Sequence, residues 1–272
     1  MKTILVATDF SPAAVNATNY AANMALATGA DLLLFHAYQV PIAVTDVPLV
    51  LMSVEDLQKS ADHKLAHLKA DVEHITSGKL TIRTEARLGH ITDELENVCN
   101  DIRPLAVIMG TTGHSSIDRL LFGSTTLTAI RQLTSPVICV PRGREYGSGI
   151  KKIGFACDLR QVEETTPFTA IIHFVQALQA ELHVLNVEEE GQPDVTEQTA
   201  LLGTALKDTN PQFHFIRHSD IEDGINDFAE TNNLDLLIAI PKKHKLLDGL
   251  FKPSSTRQLV KGSHIPVMCI HE

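Results

Sequence analysis

The sequence predicts an α/β protein of two tandem domains, each a five-stranded parallel sheet wound doubly, with helices on both faces. Three observations carry that reading. Short apolar runs of strand length alternate with amphipathic segments of helical period along the whole chain. The alternation occurs twice, residue against residue. Glycines gather where one apolar run passes into a helix, at Gly110, Gly113 and Gly123.

In the first copy, Ile4–Thr8 is the first strand, and a helix follows from Ser11 to about Thr28. Ser11-Pro12 supplies a cap and a first-turn proline, Ala17, Ala21, Met24 and Ala25 form the inner stripe, and Gly29 stops the helix. Leu32–Ala37 is the second strand. The second helix starts near Ser53, carries Ala61, Leu65, Leu68, Val72 and Ile75 on one face, and ends at Gly78. The third strand lies in Leu80–Ala86 and the third helix in Thr92–Asp101. Leu105–Met109 is the fourth strand, a helix starts at Ser124, and Val137–Val140 is the fifth strand. Apolar runs this continuous suit strands buried on both faces by crossover helices.

The second copy restates the first. Lys2–Asp9 returns as Lys151–Asp158, and Ala30–Leu34 as Ala180–Val184. The helical positions Ile91, Leu95, Val98 and Cys99 return as Ile221, Ile225, Phe228 and Ala229. His114, Asp118, Leu120, Pro136 and Cys139 match His244, Asp248, Leu250, Pro266 and Cys269 at one constant shift. A match sustained over each half is a duplicated domain rather than a short solenoid repeat. The domains are expected at 1–143 and 149–272, joined by the polar, glycine-rich stretch from Arg142 to Gly149. The first copy alone carries an extra stretch, roughly Gln39 to Leu57, expected either as a lid or partner surface over the carboxyl edge or as an apolar cap on the helices.

The glycines form the pattern Gly-x2-Gly-x9-Gly-Ser over residues 110–124, between the fourth strand and its helix, with Ser124 at the N-cap position. Glycine permits close backbone approach, and a helix start favours an anion, so the stretch reads as a phosphate cradle. It contains no P-loop lysine and no Gly-x-Gly-x-x-Gly. Asp9, at the end of the first strand, points toward the same edge, where a carboxylate can accept from ribose hydroxyls or help hold a cation at phosphates. It could also serve simply as a cap for the first helix.

The spacing resembles the nucleotide-binding motif of the universal stress protein family, and the resemblance covers essentially the entire chain, twice. It implies a Rossmann-like fold of the adenine-nucleotide α-hydrolase type and binding of ATP, or of ADP or AMP, with or without Mg²⁺. It also implies that Ala7, Asp9 and Ala37 face the nucleoside. Gly110, Gly113, Gly123, Ser124 and Thr125 would hold the phosphates, with Met109, Thr112 and His114 nearby. Single-domain members of the family pair through their last strands, so a tandem chain is expected to place Val137–Val140 beside Val267–Ile270 as a pseudo-dimer, which could itself dimerise. The second copy departs from the motif: Ile240, Lys243 and Pro253 replace the three glycines, and only Ser254 remains. One nucleotide site per chain, in the first half, is therefore expected. The Lys242-Lys243-His244-Lys245 cluster reads as a solvated basic loop.

Composition excludes several classes. A formal net charge of −10 argues against nucleic acid or an anionic membrane as main partner. No apolar run approaches transmembrane length and the N-terminus lacks a signal-peptide pattern, so a cytoplasmic protein is expected. Cys99, Cys139, Cys157 and Cys269 are scattered and read as buried, reduced thiols. His63, His67 and His74 share one helical segment; the i,i+4 spacing could hold a metal, but solvated side chains are the simpler account, and no metal is assigned.

No hydrolase triad, HExxH or paired-carboxylate motif occurs, so no catalytic residue is assigned. The leading expectation is a nucleotide-binding stress or regulatory protein. A weak ATPase or self-phosphorylating protein using Ser124, Thr125 or Thr126 is the alternative from the enzyme class. A nucleotide-independent scaffold is the third.

Overall fold

A computed structural model of the chain describes residues 2–40, 53–111, 124–188, 194–241 and 255–271. The first half runs β1 (Thr3–Ala7), α1 (Pro12–Thr28), β2 (Asp31–Tyr38), α2 (Val54–Ile75), β3 (Ile82–Leu88), α3 (Ile91–Ile102), β4 (Ala106–Gly110), α4 (Ser124–Gln132) and β5 (Val137–Val140). The second runs β6 (Lys152–Ala156), α5 (Val162–Thr165), α6 (Phe168–Leu178), β7 (Glu181–Glu188), α7 (Thr196–Ala205), β8 (Gln212–Arg217), α8 (Ile221–Thr231), β9 (Leu236–Ala239), α9 (Ser255–Gly262) and β10 (Val267–Cys269), with a 3₁₀ turn at Lys207–Thr209.

The ten strands form one sheet in the order β3-β2-β1-β4-β5-β10-β9-β6-β7-β8. Within each half the strands pair in parallel, as the crossover helices require. The halves meet through β5 and β10, which pair antiparallel with Ile138 opposite Met268. The expected pairing of the two last strands is therefore present.

Alternation along each strand splits the core into two layers. Ile4, Val6, Leu32, Leu34, Ala106 and Ile108 pack with the inner stripes of α1 and α2. Leu5, Ala7, Leu33, Phe35, Val107 and Met109 pack with α3 and α4. The capping signals act as read: Ser11 Oγ accepts from Ala14 N at 3.3 Å, and Gly29 closes α1 in the left-handed region at φ +63°. Ser53 caps α2, so Val54–Leu57, read as the end of the extra stretch, belong to that helix. The rest of that stretch, 41–52, lies outside the described residues. β2 continues one residue past Ala37, because Tyr38 O accepts from Gly89 N at 3.0 Å and Tyr38 Oη donates to Gln58 Oε1 at 2.6 Å.

The junction between the halves is more ordered than its polar, glycine-rich sequence implies. Asn16 Nδ2 donates to the carbonyls of Pro141 and Arg144, each at 3.2 Å. Tyr146 is buried edge-on against Tyr20, with ring centroids 5.2 Å apart.

Candidate nucleotide site

The order of strands reverses at β1 and β4: β1 leads outward to β2 and β3, while β4 leads the other way to β5. Crossovers on opposite sides leave a crevice at the carboxyl ends of these two strands, which is where open α/β sheets bind ligands. Ala7, Ala37 and Met109 all reach that edge on the face covered by α3 and α4. Ala7 and Met109 are buried, and Ala37 is half-buried. Asp9 stands exposed beyond the end of β1. α4 begins on the same face, with Thr125 half-buried and Thr126 buried. The backbone of Ser124 opens α4, one residue inside the N-cap position expected of it. Thr112, Gly113, His114 and Gly123, assigned to the phosphate loop, lie outside the described residues.

The turn that carries Asp9 is tight. Asp9 Oδ1 accepts from Ser11 N at 2.9 Å, Thr8 Oγ1 accepts from Phe10 N at 3.0 Å, and Phe10 occupies the left-handed region at φ +64°. A non-glycine residue there costs on the order of 1 kcal/mol, which the two side-chain bonds offset. The second half repeats the device: Asp158 Oδ1 accepts from Arg160 N at 3.2 Å, and Leu159 sits at φ +53°. Because both halves use the aspartate to shape this turn, its place in the fold is explained before any ligand is considered. Its second oxygen and its exposure leave it able to accept from a ligand as well.

Beside that turn, His36 Nδ1 donates to the Thr8 carbonyl at 2.7 Å. Its ring lies 4.6 Å from Phe10, over which Lys64 Nζ sits at 5.6 Å. Asn186, at the matching position of β7, donates from Nδ2 to the Cys157 carbonyl at 3.0 Å. The same tie thus fixes the carboxyl end of the first strand in each half, with imidazole in one and amide in the other.

Gly110 has a packing reason of its own. A Cβ there would stand 2.4 Å from the carbonyl oxygen of Ala13, so α1 could not rest its first turn on the end of β4. The second half lacks that approach. Ile240 fills the equivalent position and packs its side chain into the core. The corresponding helix is broken into α5 and α6 at Thr166-Pro167.

The structure adds one rim element that the sequence reading did not assign, the β3–α3 turn. Gly89 takes φ +157°, His90 Nδ1 bonds Thr92 Oγ1 at 2.8 Å, and the turn abuts Tyr38 beside Ala37. Arg87, in register with Ala37, is bound by Glu85 at 2.6 Å and by Glu94 and Asp101 at 3.5 Å each. Burial opposes its charge, but the three carboxylates outweigh that and raise its pKa. The guanidinium is thereby committed to the protein. The signal that could have found this rim was Gly89 shortly after the expected third strand and before an acidic first turn.

Elsewhere, His183 Nδ1 and His214 Nε2 share a hydrogen bond at 3.0 Å between β7 and β8. Burial lowers the pKa of both; for His183, the nearby Glu181 works against that shift. Cys99, Cys139 and Cys269 are buried free thiols, and burial raises Cys99 to about 11 and Cys269 to about 12, so they are poor nucleophiles. Among the described residues no three metal-ligating side chains converge, and no helix is long and apolar enough to cross a membrane.

A family model described as the universal stress protein family matches residues 1–141 and 194–271. Among curated proteins none matches the chain. A universal stress protein from Archaeoglobus fulgidus DSM 4304 has a similar structure at 15% identity, covering 99% of this chain and 98% of its own, with a TM-score of 0.76. A protein from Pseudomonas aeruginosa PAO1, described as functionally unknown, is 12% identical and covers 99% and 92%, with a TM-score of 0.61. A universal stress protein from Archaeoglobus fulgidus, solved in complex with dAMP, is 18% identical and aligns to 51% of this chain and 97% of its own, with a TM-score of 0.39.

Proposed function

This chain belongs to the universal stress protein family, and from that premise we propose that its first half binds one adenine nucleotide, ATP or a lower phosphate, in a regulatory role. The observation that carries the reading is the position of Gly110, Gly113, Gly123 and Ser124 in the chain. They connect β4 to α4, and β4 is one of the two strands at which the sheet order reverses. Successive backbone N–H groups and the start of α4 would meet phosphate there. The base and ribose would lie toward Ala7 and Ala37, with Asp9 accepting from ribose hydroxyls. Met109, Thr112, His114 and Thr125 would flank the phosphates. Mg²⁺, where bound, would be held chiefly by the phosphates themselves.

A nucleotide-independent role has one observation in its favour. Gly110 and Asp9 both have structural work to do without a ligand. Gly113 and Gly123, by contrast, are absent from the second half at Lys243 and Pro253, where the fold is retained.

The test is calorimetric titration of ligand-stripped protein with ATP and Mg²⁺, alongside Gly113→Lys, which installs the second half's residue. About one site per chain in the parent, lost in a variant that melts at the parent temperature, is the expected result. Two sites would overturn the single-site reading. No binding by the parent would leave the structural role. Multiple-turnover ADP release that vanishes in Asp9→Ala would favour the weak ATPase instead.

A further inference from the structure

We propose that α2 carries a chelating site for a divalent transition-metal ion, formed by His63 and His67. Both histidines stand on the exposed face of the helix, opposite the buried stripe of Ala61, Leu65, Leu68 and Val72. Their spacing places one imidazole a turn above the other. The two Nε2 atoms lie 3.0 Å apart, with ring centroids 4.4 Å apart and planes at 86°. In the metal-free pair one ring donates its proton and the other offers its lone pair. With each ring's proton on Nδ1, both Nε2 lone pairs are free to bind a cation in place of the hydrogen bond.

The distance is the informative quantity. With metal–nitrogen bonds of about 2.1 Å, two nitrogens at right angles on one ion stand about 3.0 Å apart, and two at the tetrahedral angle about 3.4 Å. The 3.0 Å that the hydrogen bond sets is also the separation of adjacent corners of a square or octahedron, so the pair can take a cation there with little movement. Ni²⁺ and Cu²⁺ take those geometries with imidazole and water, and both rank high among divalent ions for nitrogen donors. Water would complete the coordination, since both rings are exposed. The neighbouring cation does not crowd the pair, because Lys64 Nζ is turned to the ring of Phe10 in the β1–α1 turn. The helix is 22 residues long and anchored by its buried stripe, so the two donors are held in place before the metal arrives.

The experiment is Ni²⁺ titration of the full chain at pH 7.5 by calorimetry and thermal melting. It compares the parent with His67→Gln and with the double variant His67→Ala/Ala70→His. The double variant keeps the histidine count, so the other histidines contribute equally, but separates the two donors by two turns at exposed positions. The expected result is one Ni²⁺ equivalent in the parent that weakens at least tenfold in both variants, with a metal-induced rise in melting temperature confined to the parent. Equal stoichiometry, affinity and melting shift in all three proteins would overturn the proposal, and so would a parent that binds no Ni²⁺. Neither outcome depends on nucleotide binding.

Discussion

At the scale of single residues, Gly110 separates what the fold needs from what a ligand would need. Gly110 lies so close to the Ala13 carbonyl that adding one methyl forces α1 off the end of β4. Gly110→Ala should therefore cost roughly 2 kcal/mol or more of stability, read as a lower urea midpoint without any nucleotide present. A variant as stable as the parent would refute the packing account and return Gly110 wholly to the phosphate loop. The His183–His214 pair gives a pH dependence with a definite sign. Burial holds both below the ordinary value near 6.5, so the unfolded chain binds protons that the folded chain refuses. Their contribution to stability is intact above about pH 6.5 and is lost as pH falls from there through the lowered folded values. Replacing His183 with Leu, the residue at the matching position Leu33, should flatten the fall in urea midpoint between pH 7 and pH 5. An unchanged slope would mean that the pair does not set it.

At the scale of elements, most of the first half was legible because its signals are local. Ser11, Pro12 and Gly29 bound α1, Ser53 starts α2, and Val137–Val140 is a strand with the expected ends. Helix α1 invites a measurement of its stop signal. Gly29 holds φ +63° with open space around it, so Gly29→Ala should cost about 1 kcal/mol from backbone strain alone, and Asn at the same position less. Equal melting temperatures for parent and Ala variant would remove that reading. What the sequence concealed depends on contacts across the fold. The reason for Gly110 lies in α1, nearly a hundred residues earlier in the chain, and spacing alone presents it as a ligand glycine. The split of α5 from α6 falls at Thr166-Pro167, where the proline is a local signal. The stretch from Arg142 to Gly149 has the composition of a loose linker, and no local pattern reveals that Asn16 and Tyr20 bind it. The proposed phosphate loop is the converse case: its reading rests on spacing, while 112–123 lie outside the described residues.

At the scale of the molecule, two doubly wound units share one sheet because each would otherwise end at an apolar strand. Val137, Ile138, Cys139 and Val140 are all buried, and β10 supplies their outer partner. His271 adds a second tie, donating from Nε2 to the Ile130 carbonyl at the end of α4. An unpaired, fully apolar edge strand recruits another chain. We predict that residues 1–143 expressed alone, the proposed first domain, form a homodimer through β5, because that segment keeps the β5 edge while losing β10 and the Arg144 and Tyr146 contacts to α1. Sedimentation at micromolar concentration should give twice the chain mass. Adding residues 149–272 should convert the dimer to a one-to-one complex that restores the sheet order of the intact chain. A folded monomer of 1–143 would show that β5 can stand as an edge. In that case the junction packed on α1 through Asn16 and Tyr20, rather than strand pairing, would be what holds the two halves together.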